Sequence, residues 1–337
     1  MTYSEYFFLF VLLFVSMVLV IIYKKIAIRF SILANPNYRT LHKTLIPKGG
    51  GVVFSIIFVI SIIFLYLMGQ LSESILYTFA FGAGTASFCG IIDDIKNIKA
   101  SIKLIIQVVL SCWIIYWLNV GNLLLFDLIP NTVVILSISF LLVWLMNAYN
   151  FMDGIDGMAA SGAIFISLTL ASVLLLTNGP SEVVFVFFVL ASSLGGFLIF
   201  NWPPASIFMG DAGSVFLGYI FGSLILVTAM SGDLSIWTWL VVFGYFFADT
   251  TVTQIMRVIL VKKWYRAHRS HAYQNLARIT GSHLKVTGGV VLYNVVWILP
   301  LTLWSAIKPE TALFAVVLAI TPGAVFAFKY GPVLSTS

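Results

Sequence analysis

Eleven long apolar stretches separated by short polar ones leave this chain few folds to choose from. They cover residues 6–23, 51–68, 75–92, 103–119, 132–148, 159–177, 182–200, 213–230, 236–258, 287–306 and 311–328. Each is close to the ~20 residues that a helix needs to cross a hydrocarbon core. With 61% hydrophobic and only 9% charged residues, the chain carries more apolar surface than a soluble domain of 337 residues buries. The stretches do not alternate apolar and polar residues, as barrel strands would. The expectation is an all-α, polytopic integral membrane protein with about eleven transmembrane helices, forming a single domain over residues 1–337.

Charge sets the orientation. If the spans are counted from an outside N-terminus, every Lys and Arg except Lys308 falls on one side. Basic residues in short loops stay in the cytoplasm, and one miscounted span would scatter the pattern. The first stretch lacks a preceding basic residue and is followed by Lys24, Lys25 and Arg29, so it reads as a span and not a cleavable signal. The C-terminus is then cytoplasmic, and the polar loops on that face are 24–50, 93–102, 147–158, 201–212 and 259–286. A nucleic-acid partner is not expected.

The acidic residues divide by side and by type. Glu5, Glu73, Asp127, Glu182, Asp233 and Glu310 fall singly on the outer side. The cytoplasmic side holds aspartates only: Asp93, Asp94, Asp153, Asp156, Asp211 and Asp249, all at span ends. Solvated loop acids would mix Asp and Glu, so this distribution points to one carboxylate cluster facing the cytoplasm.

Four motifs carry these aspartates or precede them. P-K-G-G-G places Lys48 beside glycines that let backbone approach an anion. D-D-I-K-N-I-K-A-S-I-K joins the repelling pair Asp93 and Asp94 to Lys96, Lys99 and Lys103, lysines spaced to present one face toward phosphates. In N-A-Y-N-F-M-D-G-I-D-G, Asn150, Asp153 and Asp156 stand three apart, and an Asp/Gly turn explains one D-G but not two with two asparagines beside them. Hard oxygen donors of this kind suit Mg²⁺, which takes one or two carboxylates plus substrate phosphates. G-D-A-G-S puts Asp211 at a helix start, as an N-cap or as a further metal ligand. The basic loop that follows carries Arg266, Arg269 and His271 as diphosphate donors, with His268 beside them. His283 reads as an ordinary loop residue, and the role of Asp249 stays open between helix packing and orientation of the basic loop.

Together, in this order, the motifs resemble the polyprenyl-phosphate N-acetylhexosamine-1-phosphate transferase family over nearly the whole chain. The resemblance implies a bacterial inner-membrane enzyme, active at the cytoplasmic face. It implies that Asp93 and Asp94 are an essential pair near metal and lipid phosphate, that Asn150 and Asp153 match the N-x-x-D, and that Asp211 ligates Mg²⁺. On this reading Asp93, Asp94, Asp153 and His271 are catalytic, and Asp153 and Asp211 hold Mg²⁺, with Mn²⁺ as a substitute. Lys48, Lys96, Lys103, Asn150, Asp156, Arg266 and Arg269 bind substrate.

The partners it implies are undecaprenyl phosphate, a UDP-N-acetylhexosamine-type sugar nucleotide and a second copy in a homodimer. His271 matches the first histidine of an H-x-H-H type motif, whereas Tyr273 and Gln274 replace the next two. That loop is similar to the branch that begins O-antigen or capsule chains with a 6-deoxy N-acetylated sugar. The alternative from a different class is a cation- or proton-coupled transporter using the aspartates, which would place them near mid-span with water access from both sides.

Overall fold

The computed structural model describes residues 2–34, 45–120, 130–260 and 269–332. Arg266 and His268 lie outside the described residues. With no water in a bilayer core, a helix satisfies every backbone N–H and C=O within its own segment, and the apolar stretches accordingly fold as helices.

In chain order these are α1 (Tyr3–Arg29), α2 (Gly51–Leu67), α3 (Glu73–Leu76), α4 (Ala83–Lys96), α5 (Ala100–Trp117), α6 (Asn131–Met152), α7 (Met158–Leu176) and α8 (Ser181–Asn201). There follow α9 (Asp211–Ser231), α10 (Ile236–Val242), α11 (Gly244–Leu260), α12 (Ala272–Thr280), α13 (His283–Tyr293), α14 (Leu299–Ile307) and α15 (Ala312–Tyr330). A π-helical turn, Tyr77–Gly82, fuses α3 to α4, and another, Asn294–Ile298, fuses α13 to α14. A two-residue antiparallel pair joins β1 (Leu33–Ala34) to β2 (Ile46–Pro47), with Leu33 opposite Pro47.

Among the described residues, nine helices are long and apolar enough to cross a membrane by length and composition. They coincide with nine of the eleven expected stretches. The other two differ: 51–68 becomes the 17-residue α2, and 236–258 is interrupted at Phe243 between α10 and α11. Several expected loops are also shorter than the sequence implies. Asp93 and Asp94 sit in the end of α4, Asn150 in the end of α6, and residues 272–280 of the basic loop form α12.

Helix α9 organises the bundle, packing against α2, α4 and α6. Close approach is possible because Gly213 faces Gly51 and Gly218 faces the Met146 backbone, where any side chain would collide. Small residues serve membrane helices in this way, since van der Waals packing replaces the hydrophobic drive there. Phe216 lies edge-on to Phe54 and Phe58, and the Tyr219 hydroxyl donates to the Thr78 carbonyl at 3.2 Å. On the outside, Phe7 and Phe10 of α1 and Phe140 of α6 are exposed, as lipid-facing side chains are.

Two motifs far apart in sequence are knitted backbone to backbone. Gly50 and Gly51 donate to the carbonyls of Phe208 and Met209, both at 2.9 Å, while Phe208 donates to Pro47 at 2.8 Å. The P-K-G-G-G and F-M-G-D segments thus run side by side at the end of the bundle where α9 begins.

Candidate active site

The start of α9 is held by a carboxylate from another helix. Asp94 accepts from the backbone N–H of Asp211 and of Ala212, each at 3.2 Å, one through each oxygen. Its charge is therefore spent on the donors that a helix start leaves without internal partners. Gly210 makes room for it, with φ of 74° and no side chain where a Cβ would strike the Asp94 carboxylate.

Asp93, one residue earlier, points a different way. Its Oδ1 accepts from the Ile98 N–H at 2.7 Å, and its Oδ2 pairs with Lys103. Lys103 Nζ also reaches Asp211 Oδ2 at 2.9 Å, so one ammonium bridges two carboxylates from α4 and α9. Asn150 on α6 completes the arrangement, donating to Asp211 Oδ1 at 2.9 Å and to Ser214 Oγ at 2.8 Å. Three sequence motifs meet at Asp211.

Asp153 follows α6 and lies half-buried in the turn to α7. Burial holds its carboxyl well above the usual range, and the charges of Asp211, Asp94 and Asp156 push the same way, against one hydrogen bond from the Gly210 backbone. The loop behind it is fastened through Asp156. Asp156 Oδ1 lies 2.9 Å from His283 Nδ1, and its Oδ2 accepts from the Ala205 N–H at 2.9 Å. The buried Asn201 adds a second fastening, accepting from the Gly157 N–H at 3.1 Å and donating to the Ile207 carbonyl at 2.9 Å. Asp156, expected among the substrate contacts, has both oxygens engaged by protein, and His283, expected in a loop, opens α13.

Helix α12 closes one side. Asp249, fully buried on α11, accepts from the N–H groups of Ala272 and Tyr273 at 3.1 Å each and from Thr253 Oγ1 at 3.1 Å. His271 Nδ1 stands 3.4 Å from the same carboxylate. The role left open for Asp249 is thus to anchor the start of α12. His271 is buried at the helix entrance with its ring against Phe151, and Tyr273 donates to the Phe151 carbonyl at 2.6 Å. Tyr273 and Gln274 abut Gly154, so the residues standing where two histidines were expected touch the loop that carries Asp153. Burial together with Asp249 and Asp153 holds the Tyr273 phenol well above its ordinary value, which keeps it a neutral donor.

The remaining basic residues are spread around this centre. Lys48 lies close enough to Asp94 to act on its charge, and its carbonyl accepts from Tyr23 Oη at 3.0 Å. Arg269 acts on Tyr273 in the same way. Lys96 is exposed on the last turn of α4.

A divalent cation fits Asp153, whereas the Asp211 oxygens meet Asn150 and Lys103 here. Among the described residues no three His, Cys, Asp or Glu side chains gather as a protein-only metal cage. Mg²⁺ does not need one, because phosphates and water fill most of its shell. Asp153 is a hard oxygen donor beside three like charges, and among the described residues no Lys, Arg or His forms an ion pair with it. A cation there relieves that repulsion.

Comparison with known proteins agrees with the motif order. Residues 75–229, which hold Asp93, Asp94, Asn150, Asp153 and Asp211, match glycosyl transferase family 4. The chain is 32% identical over 238 residues to a phospho-N-acetylmuramoyl-pentapeptide-transferase of Clostridium beijerinckii, covering 64% of this chain and 68% of that one. It is 29% identical over 272 residues to a probable undecaprenyl-phosphate N-acetylglucosaminyl 1-phosphate transferase of Bacillus subtilis, covering 78% and 74%. A decaprenyl-phosphate N-acetylglucosaminephosphotransferase of Mycolicibacterium smegmatis is 28% identical over 220 residues, covering 59% and 53%. The polytopic helical bundle together with these matches places the chain among membrane transferases. The chain belongs to glycosyl transferase family 4, the polyprenyl-phosphate hexosamine-1-phosphate transferases.

Proposed function

We propose that this protein transfers a sugar 1-phosphate from a UDP-sugar to undecaprenyl phosphate at the cytoplasmic face of a bacterial inner membrane, with UMP as the second product. The observation that carries this reading is the convergence of Asp93, Asp94, Asn150 and Asp153 on Asp211, with Lys103 bridging Asp93 and Asp211, at one end of the bundle. The names of the relatives point to the same substrates. The acceptor chain lies in the bilayer. An apolar cavity of about 490 Å³ between α6, α9, α10 and α11, lined by Leu141, Leu145, Leu226 and Trp239, offers it a surface within the bundle, toward the helix ends away from Asn150 and Asp211.

In the reaction an oxygen of the lipid phosphate forms a bond to the sugar-proximal phosphorus. The bond from that phosphorus to the bridging oxygen breaks, and its electron pair leaves with UMP. A phosphate monoester with a second pKa near ~6 is already largely ionised at neutral pH. Asp93 and Asp94 accordingly position rather than deprotonate: Asp94 fixes the start of α9, and Asp93 holds Lys103 next to Asp211. Lys103 and Lys48 supply positive charge where two anions must approach. Asp153 and Asp211 would hold Mg²⁺ or Mn²⁺, which when bound offsets charge on the diphosphate. Tyr273 and Gln274 orient the loop bearing Asp153, and the resemblance of their segment to the branch that begins O-antigen or related envelope polysaccharides supports a 6-deoxy N-acetylated hexosamine as the sugar. A transporter reading is disfavoured because Asp93, Asp94, Asp153 and Asp211 gather at helix ends and not along the middle of spans.

The test is UMP release by purified protein given undecaprenyl phosphate, Mg²⁺ and a panel of UDP-sugars. Release with one sugar and none without lipid is expected. No release with any sugar, where a relative works in parallel, overturns the reading.

A further inference from the structure

The cavity between α11, α12, α13 and α15 has no part in the site above. Its volume of about 310 Å³ lies at the lower end of the roughly 300–1,000 Å³ of ligand pockets. Leu276, Val290, Pro322 and Phe326 give it apolar walls, and Tyr245 and Lys285 are its polar features. Tyr245 is only 6% exposed, and its hydroxyl is buried without a hydrogen-bond partner. A buried hydroxyl left unpaired keeps its desolvation cost without a compensating bond, so it marks a place for a ligand acceptor. Lys285 is exposed on the first turn of α13 and forms no ion pair among the described residues.

The surroundings identify the ligand class. Leu284 and Leu292 of α13 and Val325 and Phe328 of α15 are exposed apolar side chains on two membrane-crossing segments. In a bilayer these side chains would meet acyl chains, and the cavity is lined by other residues of the same two segments. A soluble anion would leave the apolar walls uncovered, and a neutral amphiphile would leave Lys285 without a counter-charge. Basic pockets between transmembrane helices bind anionic lipid headgroups by this combination.

We propose that this cavity binds one anionic phospholipid. An acyl segment lies against Val290, Pro322 and Phe326, the headgroup phosphate meets Lys285, and an ester carbonyl accepts from Tyr245. The site bears on α12, because Leu276 is one of its walls and Asn275 ties that helix to α15 through the Tyr330 carbonyl at 2.7 Å.

The test uses the full chain, delipidated in detergent and titrated with phosphatidylglycerol, phosphatidylcholine or glycerol phosphate. Binding is read by native mass spectrometry and thermal shift, so its outcome is separate from that of the transferase assay. One retained phosphatidylglycerol per chain with a saturating rise in Tm is expected, and neither control should reproduce it. Lys285→Glu weakens retention by about tenfold through charge reversal at an exposed residue. Gly289→Leu abolishes it, since a Cβ at this lining position meets nothing and the side chain fills the slot. Equal retention of phosphatidylcholine, or wild-type binding by both variants, overturns the proposal.

Discussion

Two aspartates separate the chemistry of the site from its support. Asp153 stands among like charges and packed protein, so its folded-state pKa lies above the unfolded value and the folded chain holds the proton more tightly. The sign follows: its cost to stability is absent below the ordinary carboxylate range and grows as pH rises toward the raised value. Without divalent cation, wild-type Tm in detergent should fall across that window, and Asp153→Asn should flatten the fall and be the more stable form at neutral pH. Transfer by the same variant should drop by about 10²-fold or more, the scale of losing one preorganised charge-stabilising group. A variant less stable than wild type at neutral pH would count against the like-charge account. Asp249 predicts the opposite pattern. Asn in its place can accept only one of the two N–H bonds and turns an amide toward the other, at about 1.5–3 kcal/mol per lost charge-assisted bond. Asp249→Asn should lower Tm, speed hydrogen exchange in residues 272–280 and raise KM for the sugar nucleotide more than it lowers kcat.

At the scale of elements, the turn between α6 and α7 is clamped by groups that lie far away in sequence. Asp156 meets His283 at the start of α13 and the Ala205 amide after α8, and Asn201 ties Gly157 to Ile207. If Asp156 and His283 act as one clamp, a double-mutant cycle with Asp156→Ala and His283→Ala should show a coupling of about 0.5–3 kcal/mol, read from denaturation in detergent. Additive effects would mean two independent contacts. These pairings also mark where sequence reading ends. The spans were legible because hydropathy over ~20 residues is a strong signal. The aspartates at Asp93, Asp153 and Asp211 stood out because an apolar background leaves few charges to choose among. Partner choice across 127 residues, as between Asp156 and His283, leaves no local pattern. Helix α12 did leave one, with Tyr273, Leu276 and Ala277 on the periodic apolar face and Gly281 in the left-handed conformation as its stop, but the basic residues around it read as loop. The break at Phe243 was silent because apolar composition continues through it.

For the whole molecule, the arrangement of charge yields a prediction about orientation that needs no enzyme assay. The aspartate cluster, Lys48, Lys103 and the start of α12 share one end of the bundle, with Lys96 and Arg269 beside them. Basic residues in short loops resist export, and a reaction that uses a UDP-sugar must face the compartment that supplies it. On the proposed function, both arguments predict that this end is cytoplasmic. Asn178, exposed between α7 and α8, then lies outside, and Thr280, exposed at the end of α12, lies inside. In a background with Cys89 and Cys112 replaced, Asn178→Cys should react with a membrane-impermeant maleimide in intact cells. Thr280→Cys should react only after the membrane is opened. Three passages, α8, α9 and the α10–α11 pair, separate the two positions, and their accessibility depends on no ligand. The reverse pattern would invert the molecule, leaving the aspartates on the side where neither UDP-sugar nor the positive-inside rule can place them.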